Sequence, residues 1–395
     1  MLELALRGRG GYWSWMAFLA AVIGVGGLVF IWQLNAGLRI TGLSRDVTWG
    51  FYVAQLTFLV GVAASAVMLV LPYYLHDYKA FGRITILGEF VAVPAIVMCL
   101  LFLFVDLGQS LRALNVFMHP TPGSVIFWDG TVLFSYMLLN LVVGWNTLQA
   151  ERLDAPPPRW VKPLIYLSIP LAFGIHTVTA FLYCGLPGRG FWLTAIMAPR
   201  FLASAFAAGP AFLILLCMFL RANTAFDAGR QAIQALARIV AYGLAANLFF
   251  LACEFFVAFY SNIPEHMVHF VYLFKGLDGA SVLVPWMWSS MALMVLGLAA
   301  LMTPSLRKNE KLLPWICVAV FVGVWIDKGL GLVAGGFTPS PTHHVTEYVP
   351  TLPELLISLG VYGVGFFILS VLIKIVVSVK QEAGACKPLG KEEAA

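Results

Sequence analysis

Ten apolar stretches, each long enough to cross a bilayer, constrain this chain more than any motif it carries. They lie near residues 12–34, 48–75, 84–106, 125–148, 161–183, 199–221, 233–260, 280–303, 313–333 and 355–379. A helix needs about 20 apolar residues to cross the hydrocarbon core. Within that core each backbone N–H and C=O must be bonded inside the structure, which favours helices. Ten-residue segments of alternating polarity, the mark of a membrane barrel, are absent from the sequence. Only 11% of the 395 residues are charged, against about 25% in soluble domains. The expectation is an all-α, polytopic integral membrane protein with ten transmembrane helices, residues 1–395 forming a single membrane domain.

The first run follows a short basic segment, has full spanning length and shows no evident small-residue cleavage site, so it is expected to be a retained helix. Seventeen Lys and Arg residues, among them Arg9, Lys387 and Lys391, fall at the ends of the chain and after the second, fourth, sixth and eighth runs. Six fall on the other side, and Lys328 lies inside a run. The positive-inside rule then places both termini in the cytoplasm, with the chain in a bacterial or archaeal cytoplasmic (inner) membrane and residues 380–395 as a cytoplasmic tail. The net charge of +5 needs no nucleic-acid partner to explain it.

Polar residues inside these runs carry the functional signal. Asp106 closes the third run, with Arg112 six residues beyond it; Asp129 opens the fourth and His176 sits in the fifth. Ionisable groups in hydrocarbon cost at least a few kcal/mol each, so they usually face a bundle interior and mark a site or pathway. Helical spacing puts Tyr52 and Gln55 on one face with Thr48, Asp129 with Tyr136 and Asn140, and His176 with Tyr183. Because successive helices alternate in direction, Tyr52, Asp106, Asp129 and His176 all fall at similar depth, towards the outside. Glu89, on the same run as Asp106, lies roughly 25 Å away along the helix.

Quinol oxidation and quinone reduction need hydrogen-bond partners for two ring oxygens and a group that exchanges protons near neutral pH. Asp106 and His176 are the expected catalytic pair, with Tyr52, Gln55, Arg112, Asp129, Tyr136 and Tyr183 as lining. Glu89, Glu254, Asp327 and Lys328 are candidates for a proton path, although an internal ion pair is the preferred reading of Glu254 with Asp327 and Lys328. Plainer readings also exist for the first group: Asp106 snorkelling at a helix end, Asp129 favoured by a helix dipole, His176 bonding a neighbouring helix. An ion- or proton-translocating module, or a secondary transporter without redox chemistry, is the alternative function.

No haem is expected, because only His176 among seven histidines lies well inside a run; His76, His119, His266, His269, His343 and His344 fall in loops or at run ends. No iron–sulfur cluster or metal site is expected either. The six cysteines, Cys386 among them, are scattered without a Cys-x-x-Cys pair, and His343-His344 and His266-x-x-His269 are weak as metal signals. A weak internal repeat sets Asp106 against Glu254 and His176 against Asp327-Lys328, four runs apart. It suggests two parallel four-helix bundles, 48–183 and 199–333, flanked by the first and tenth helices.

The motifs carry a resemblance. Trp49-Gly50-Phe51-Tyr52, Asp106-Leu107-Gly108, His176-Thr177-Val178 with Gly185 and Trp192, Ala198-Pro199-Arg200-Phe201, Glu254, and the segment from Tyr348 to Ile357 recur in order across the chain. In this the sequence resembles the NrfD/polysulfide-reductase membrane-subunit (PsrC-like) family, in its ten-helix branch, and most of all the DsrP type, with HybB-, Hmc- and Qrc-type subunits near it. The resemblance implies a menaquinone/menaquinol (or ubiquinone) site near the outer face. It also implies an extracytoplasmic ferredoxin-like iron–sulfur partner, docked on the loops at 107–124, 184–198 and 334–354. Further redox subunits, a cytochrome and a heterodisulfide-reductase-like protein, would join it in a DsrMKJOP-type complex in sulfite metabolism.

Overall fold

The computed structural model describes residues 1–8 and 10–382. Arg9, Cys386, Lys387, Lys391 and nearly all of the expected tail lie outside the described residues. Among the described residues, ten helices are long and apolar enough to cross a membrane: α1 (Gly10–Ala36), α2 (Phe51–Leu75), α3 (Thr85–Asp106), α4 (Val125–Arg152), α5 (Val161–Cys184), α6 (Met197–Asn223), α7 (Arg230–Tyr260), α8 (Val284–Met302), α9 (Leu313–Phe337) and α10 (Leu352–Glu382). An even number of spans brings the start of α1 and the end of α10 to one face, here the terminal face. There Lys380 Nζ binds Glu151 Oε1 at 2.7 Å and Arg152 Nε binds Glu382 Oε2 at 3.1 Å, joining α10 to α4.

Helices α2, α3, α4 and α5 pack as neighbours around one interior, and α6, α7, α8 and α9 around another. The two groups meet where α2 and α5 touch α6 and where α2 touches α9. Helix α10 lies on α3 and carries α1 on its other side. Helix α2 is therefore surrounded, and it is buried from Tyr52 to Val70. Small residues make this possible: a Cβ on Gly209 would stand 3.1 Å from Ser65 Oγ and 3.3 Å from the Gly61 carbonyl. Such close backbone approach is how helices associate in lipid, where water supplies no driving force between apolar surfaces.

Two spans depart from a plain α-helix. Helix α2 is interrupted between Ala63 and Val67, where the Ser65 hydroxyl turns back onto the Val62 carbonyl, a side-chain bond that competes with the backbone ladder. Helix α9 widens into a π-turn over Trp325–Gly331, the segment that holds Asp327 and Lys328. Such bulges are frequent at functional sites.

The connection between α7 and α8 is not the loop expected. It holds a short helix, Pro264–Lys275, with Pro264 in its first turn and Gly276 at φ 85° ending it, the proline-first, glycine-last pattern of helix boundaries. His266 and His269 thus lie on a helix. His269 is buried, and its Nδ1–H donates to the carbonyls of Gly335 (2.8 Å) and Thr338 (2.9 Å). Burial holds its pKa below the ordinary 6.5.

Candidate functional site

Where α2, α3 and α10 approach the face opposite the termini, polar side chains gather. Gln33 of α1 donates from Nε2 to the Val105 carbonyl at 2.7 Å, and its Oε1 accepts from the Tyr52 hydroxyl at 2.8 Å. Asp106 follows on the same turn of α3. Its Oδ1 is buried and finds no partner among the described residues. One helical turn deeper, Gln55 Oε1 accepts from both Trp325 Nε1 (2.8 Å) and the Tyr362 hydroxyl (2.6 Å). An indole N–H only donates, so this contact fixes which end of the amide faces Trp325. The Gln55 amide nitrogen is left buried without a partner among the described residues, as is Ser358 Oγ on α10.

The other expected residues line the interior of α2, α4 and α5. Asp129 is 3% exposed and accepts from Thr179 Oγ1 at 2.6 Å. Tyr183 exchanges a hydrogen bond with Thr57 of α2, and its ring sits among Trp49, Trp192 and Phe201. The Tyr136 hydroxyl, fully buried, has no partner among the described residues. His176 is 1% exposed and its Nδ1 lies 2.8 Å from the Ala172 carbonyl. A carbonyl only accepts, so Nδ1 carries a proton, and in the neutral ring Nε2 presents a lone pair. That Nε2 is buried and unpartnered among the described residues.

Asp106 and His176 thus share no hydrogen bond; the first belongs to the α2/α3/α10 layer, the second to the interior of α5. Arg112 is exposed on the turn Ser110–Arg112 and forms no ion pair among the described residues. Glu89 is 1% exposed in the half of α3 nearer the termini. Its Oε2 faces Gly144 of α4, where a Cβ would come within 3.1 Å of it, and has no partner among the described residues.

Glu254 and Asp327 do join an internal ion pair, but its cation is Arg200 and not Lys328. Arg200, at the start of α6, binds Glu254 Oε2 at 2.5 Å and both oxygens of Asp327 at 2.8 and 2.9 Å. Lys328 points elsewhere, because successive residues leave a helix in different directions. Its Nζ lies 4.3 Å from the Phe201 ring centre, 3.3 Å from the Phe201 carbonyl, and beside Gly61 of α2. Counting charges by loop assigns Arg200 to the outer surface, yet it is 6% exposed.

Glu354 stands in the sequence only as one member of a motif. In the fold it is fully buried and accepts from Gly42 N–H (2.7 Å), Thr351 N–H (2.8 Å) and the Tyr348 hydroxyl (2.7 Å), clamping the connections before α2 and α10 together. Sequence reasoning also misses Gln33, Trp325, Ser358 and Tyr362. A signal for α10 is present, since Glu354, Ser358 and Tyr362 recur every four residues.

Two grooves open to the membrane. One, of about 300 Å³, lies among α2, α3, α6, α9 and α10, with Trp325 and Tyr362 in its otherwise apolar lining. The other, of about 520 Å³ and lined largely by apolar side chains with Tyr242 among them, lies among α2, α5, α6 and α7. Neither is lined by Asp106 or His176. Among the described residues no group of three or more His, Cys, Asp or Glu side chains is placed to hold a metal ion.

Residues 39–339 match the family described as Polysulphide reductase, NrfD. The chain belongs to this family. It is a multi-pass integral membrane protein. It is 27% identical to a dimethyl sulfoxide reductase membrane subunit of Halobacterium salinarum, over 91% of this chain and 89% of that one. It is 22% identical to the Hdr-like menaquinol oxidoreductase integral membrane subunit of Archaeoglobus fulgidus, over 94% and 95%. The menaquinone reductase integral membrane subunit of Nitratidesulfovibrio vulgaris is likewise 22% identical, over 94% and 93%.

Proposed function

We propose that this NrfD-family chain is the quinone-reactive membrane subunit of a respiratory oxidoreductase complex. It exchanges electrons between membrane menaquinol and an extracytoplasmic iron–sulfur partner, in sulfur or sulfite metabolism. The observation that carries the reading is the pair of buried, proton-accepting atoms left unpartnered among the described residues, Asp106 Oδ1 and His176 Nε2. A buried polar atom without a partner costs about 1–3 kcal/mol, and a bound hydroxyl group would offset that cost at either atom. Two relatives from the same comparison are named for menaquinol and menaquinone chemistry.

In quinol oxidation two protons and two electrons leave the ring. His176 Nε2 is a neutral base already in the accepting tautomer, and the Asp106 carboxylate is a second acceptor at the end of α3. The electrons pass to the partner on the face opposite the termini, which this reading makes the extracytoplasmic one, with the termini in the cytoplasm of an inner membrane. Tyr52, Asp129, Tyr136 and Tyr183 are the proposed lining of the site. Glu89, unpartnered near the terminal face among the described residues, and Lys328, between the two helix groups, form a proposed proton path.

A fluorescent quinol analogue titrated into the purified complex tests this directly. Wild type should bind stoichiometrically, while Asp106→Asn and His176→Gln should each cut quinol-linked turnover by about 100-fold or more in complexes that still assemble. Wild-type turnover in both variants would remove the proposed site, and absence of binding to wild type would remove the quinone reading itself.

A further inference from the structure

The smaller groove ends at Trp325 and Tyr362, which tie it to Gln55 in the polar layer at the ends of α2, α3 and α10. On α10 the groove runs from Leu369 to Tyr362, and on α3 from Val91 to Met98, seven residues in each case, or roughly 10 Å of helix. Both tracks cross the middle of their helices and end in the half away from the terminal face. The side facing lipid is bounded by Val322 of α9 and by Phe366 of α10, which is 40% exposed. Continuing one turn along α10 leads to Ser358, and two turns along α3 to Asp106.

At the head of the groove Tyr362 and Trp325 hold the Gln55 amide between them. Gln55 is fully buried, with its NH₂ group unpartnered among the described residues. A lipid acyl chain would fill an apolar slot yet leave that amide unpaired, at a standing cost of about 1–3 kcal/mol. A long apolar molecule with oxygen atoms at one end matches both halves. Its tail lies in the groove and its oxygens meet the Gln55 amide as donor, the Ser358 hydroxyl, and the Asp106 carboxylate as acceptor. The volume of about 300 Å³ sits at the lower end of the roughly 300–1,000 Å³ seen for small-molecule sites, suited to part of such a molecule with the remainder in lipid.

We propose that the groove between α9 and α10 is the lateral access channel for a quinol, holding its isoprenoid tail while Gln55, Tyr362 and Ser358 position the head beside Asp106. This rests on the quinone reading above. It adds α9 and α10 to the site and gives it a preference for long-tailed quinols.

The test uses the intact complex with two reduced quinones, one long-tailed and one without a tail. Val322→Trp narrows the groove at its lipid edge. It should raise the KM for the long-tailed quinol relative to the tail-less one by about tenfold or more, and Tyr362→Phe should raise both. A long-tailed quinone carrying a photoreactive group on its tail should label peptides of α9 and α10 in wild type, a result that needs no variant to fold. Labelling confined to α4, α5 or the wider groove, or an unchanged KM ratio in Val322→Trp, would overturn the channel while leaving the quinone function standing. Oxidation of neither quinol by wild type would overturn the function itself.

Discussion

In the α6–α9 group, Arg200 reaches Glu254 and Asp327 at once; in the α2–α5 group, Glu89, Asp106 and His176 each keep a buried polar atom without a partner among the described residues. Both groups place ionisable side chains among apolar helices, so composition alone does not separate them. Pairing does. A guanidinium that offers donors to two carboxylates is an internal solution to burying charge, and the cost of separating its members falls on the fold. Unpartnered atoms leave their cost standing until something binds, which is the behaviour of a site. Under the proposed function, the charge-paired α6–α9 cluster serves structure and the α2–α5 residues, joined by α10, serve chemistry.

Three measurements break or sharpen this contrast. Arg200→Leu leaves two buried carboxylates facing each other, and breaking a buried pair costs about 3–5 kcal/mol. The expected outcome is loss of the monodisperse complex in detergent, partly restored when Glu254→Gln and Asp327→Asn are added. A stable single variant would show that the cluster is not what holds α6, α7 and α9 together.

A smaller effect is expected at His269. Its folded pKa lies below the ordinary 6.5 because burial disfavours the cation, so the unfolded segment binds the proton more readily. Stability is therefore fully present above about 6.5 and is lost as pH falls below it towards the folded value. Hydrogen-exchange protection of Pro264–Lys275 should fall between about pH 7 and pH 5, and His269→Gln should flatten that dependence. Equal pH sensitivity in the variant would locate the titrating group elsewhere.

The smallest change in stability belongs to the residues with the largest expected role in turnover. Asp106→Asn removes no hydrogen bond to Oδ1, so unfolding free energy should shift by less than about 1 kcal/mol. A thermal-stability loss comparable to that of Arg200→Leu would make Asp106 structural and erase the difference between the two regions.

Much of this is legible in the sequence. Spanning length and the near absence of charge specify ten helices because lipid offers the backbone no other partners. The polar stripes also read correctly as interior faces, since Asp129, Tyr136 and Asn140 are all buried. Legibility ends where partners come from distant elements. Gln55 and Asp106 are expected to look towards His176, but Gln55 bonds Trp325 and Tyr362, which lie 270 and 307 residues further along. Arg200 looks like one more loop cation because helix ends are uncertain by a turn, and one turn carries a side chain from the interface into the core. His269 reads as a loop residue because the helix that holds it is too short to show a spanning pattern.

The sequence by itself determined that this protein lives in a membrane, that it crosses it ten times by helices, and which few side chains bear the cost of being polar there. Hydropathy and helical periodicity are local properties, and a local window reads them. Tertiary structure alone decided which of those side chains neutralise one another and which are left open. It brought α10 against α2 and α3, turned Arg200 inward and aimed Lys328 away from Asp327. Pairing depends on which helices are neighbours and how each is rotated about its axis. Small residues along α2 let α6 approach closely, and no single helix carries the information on neighbours and rotation.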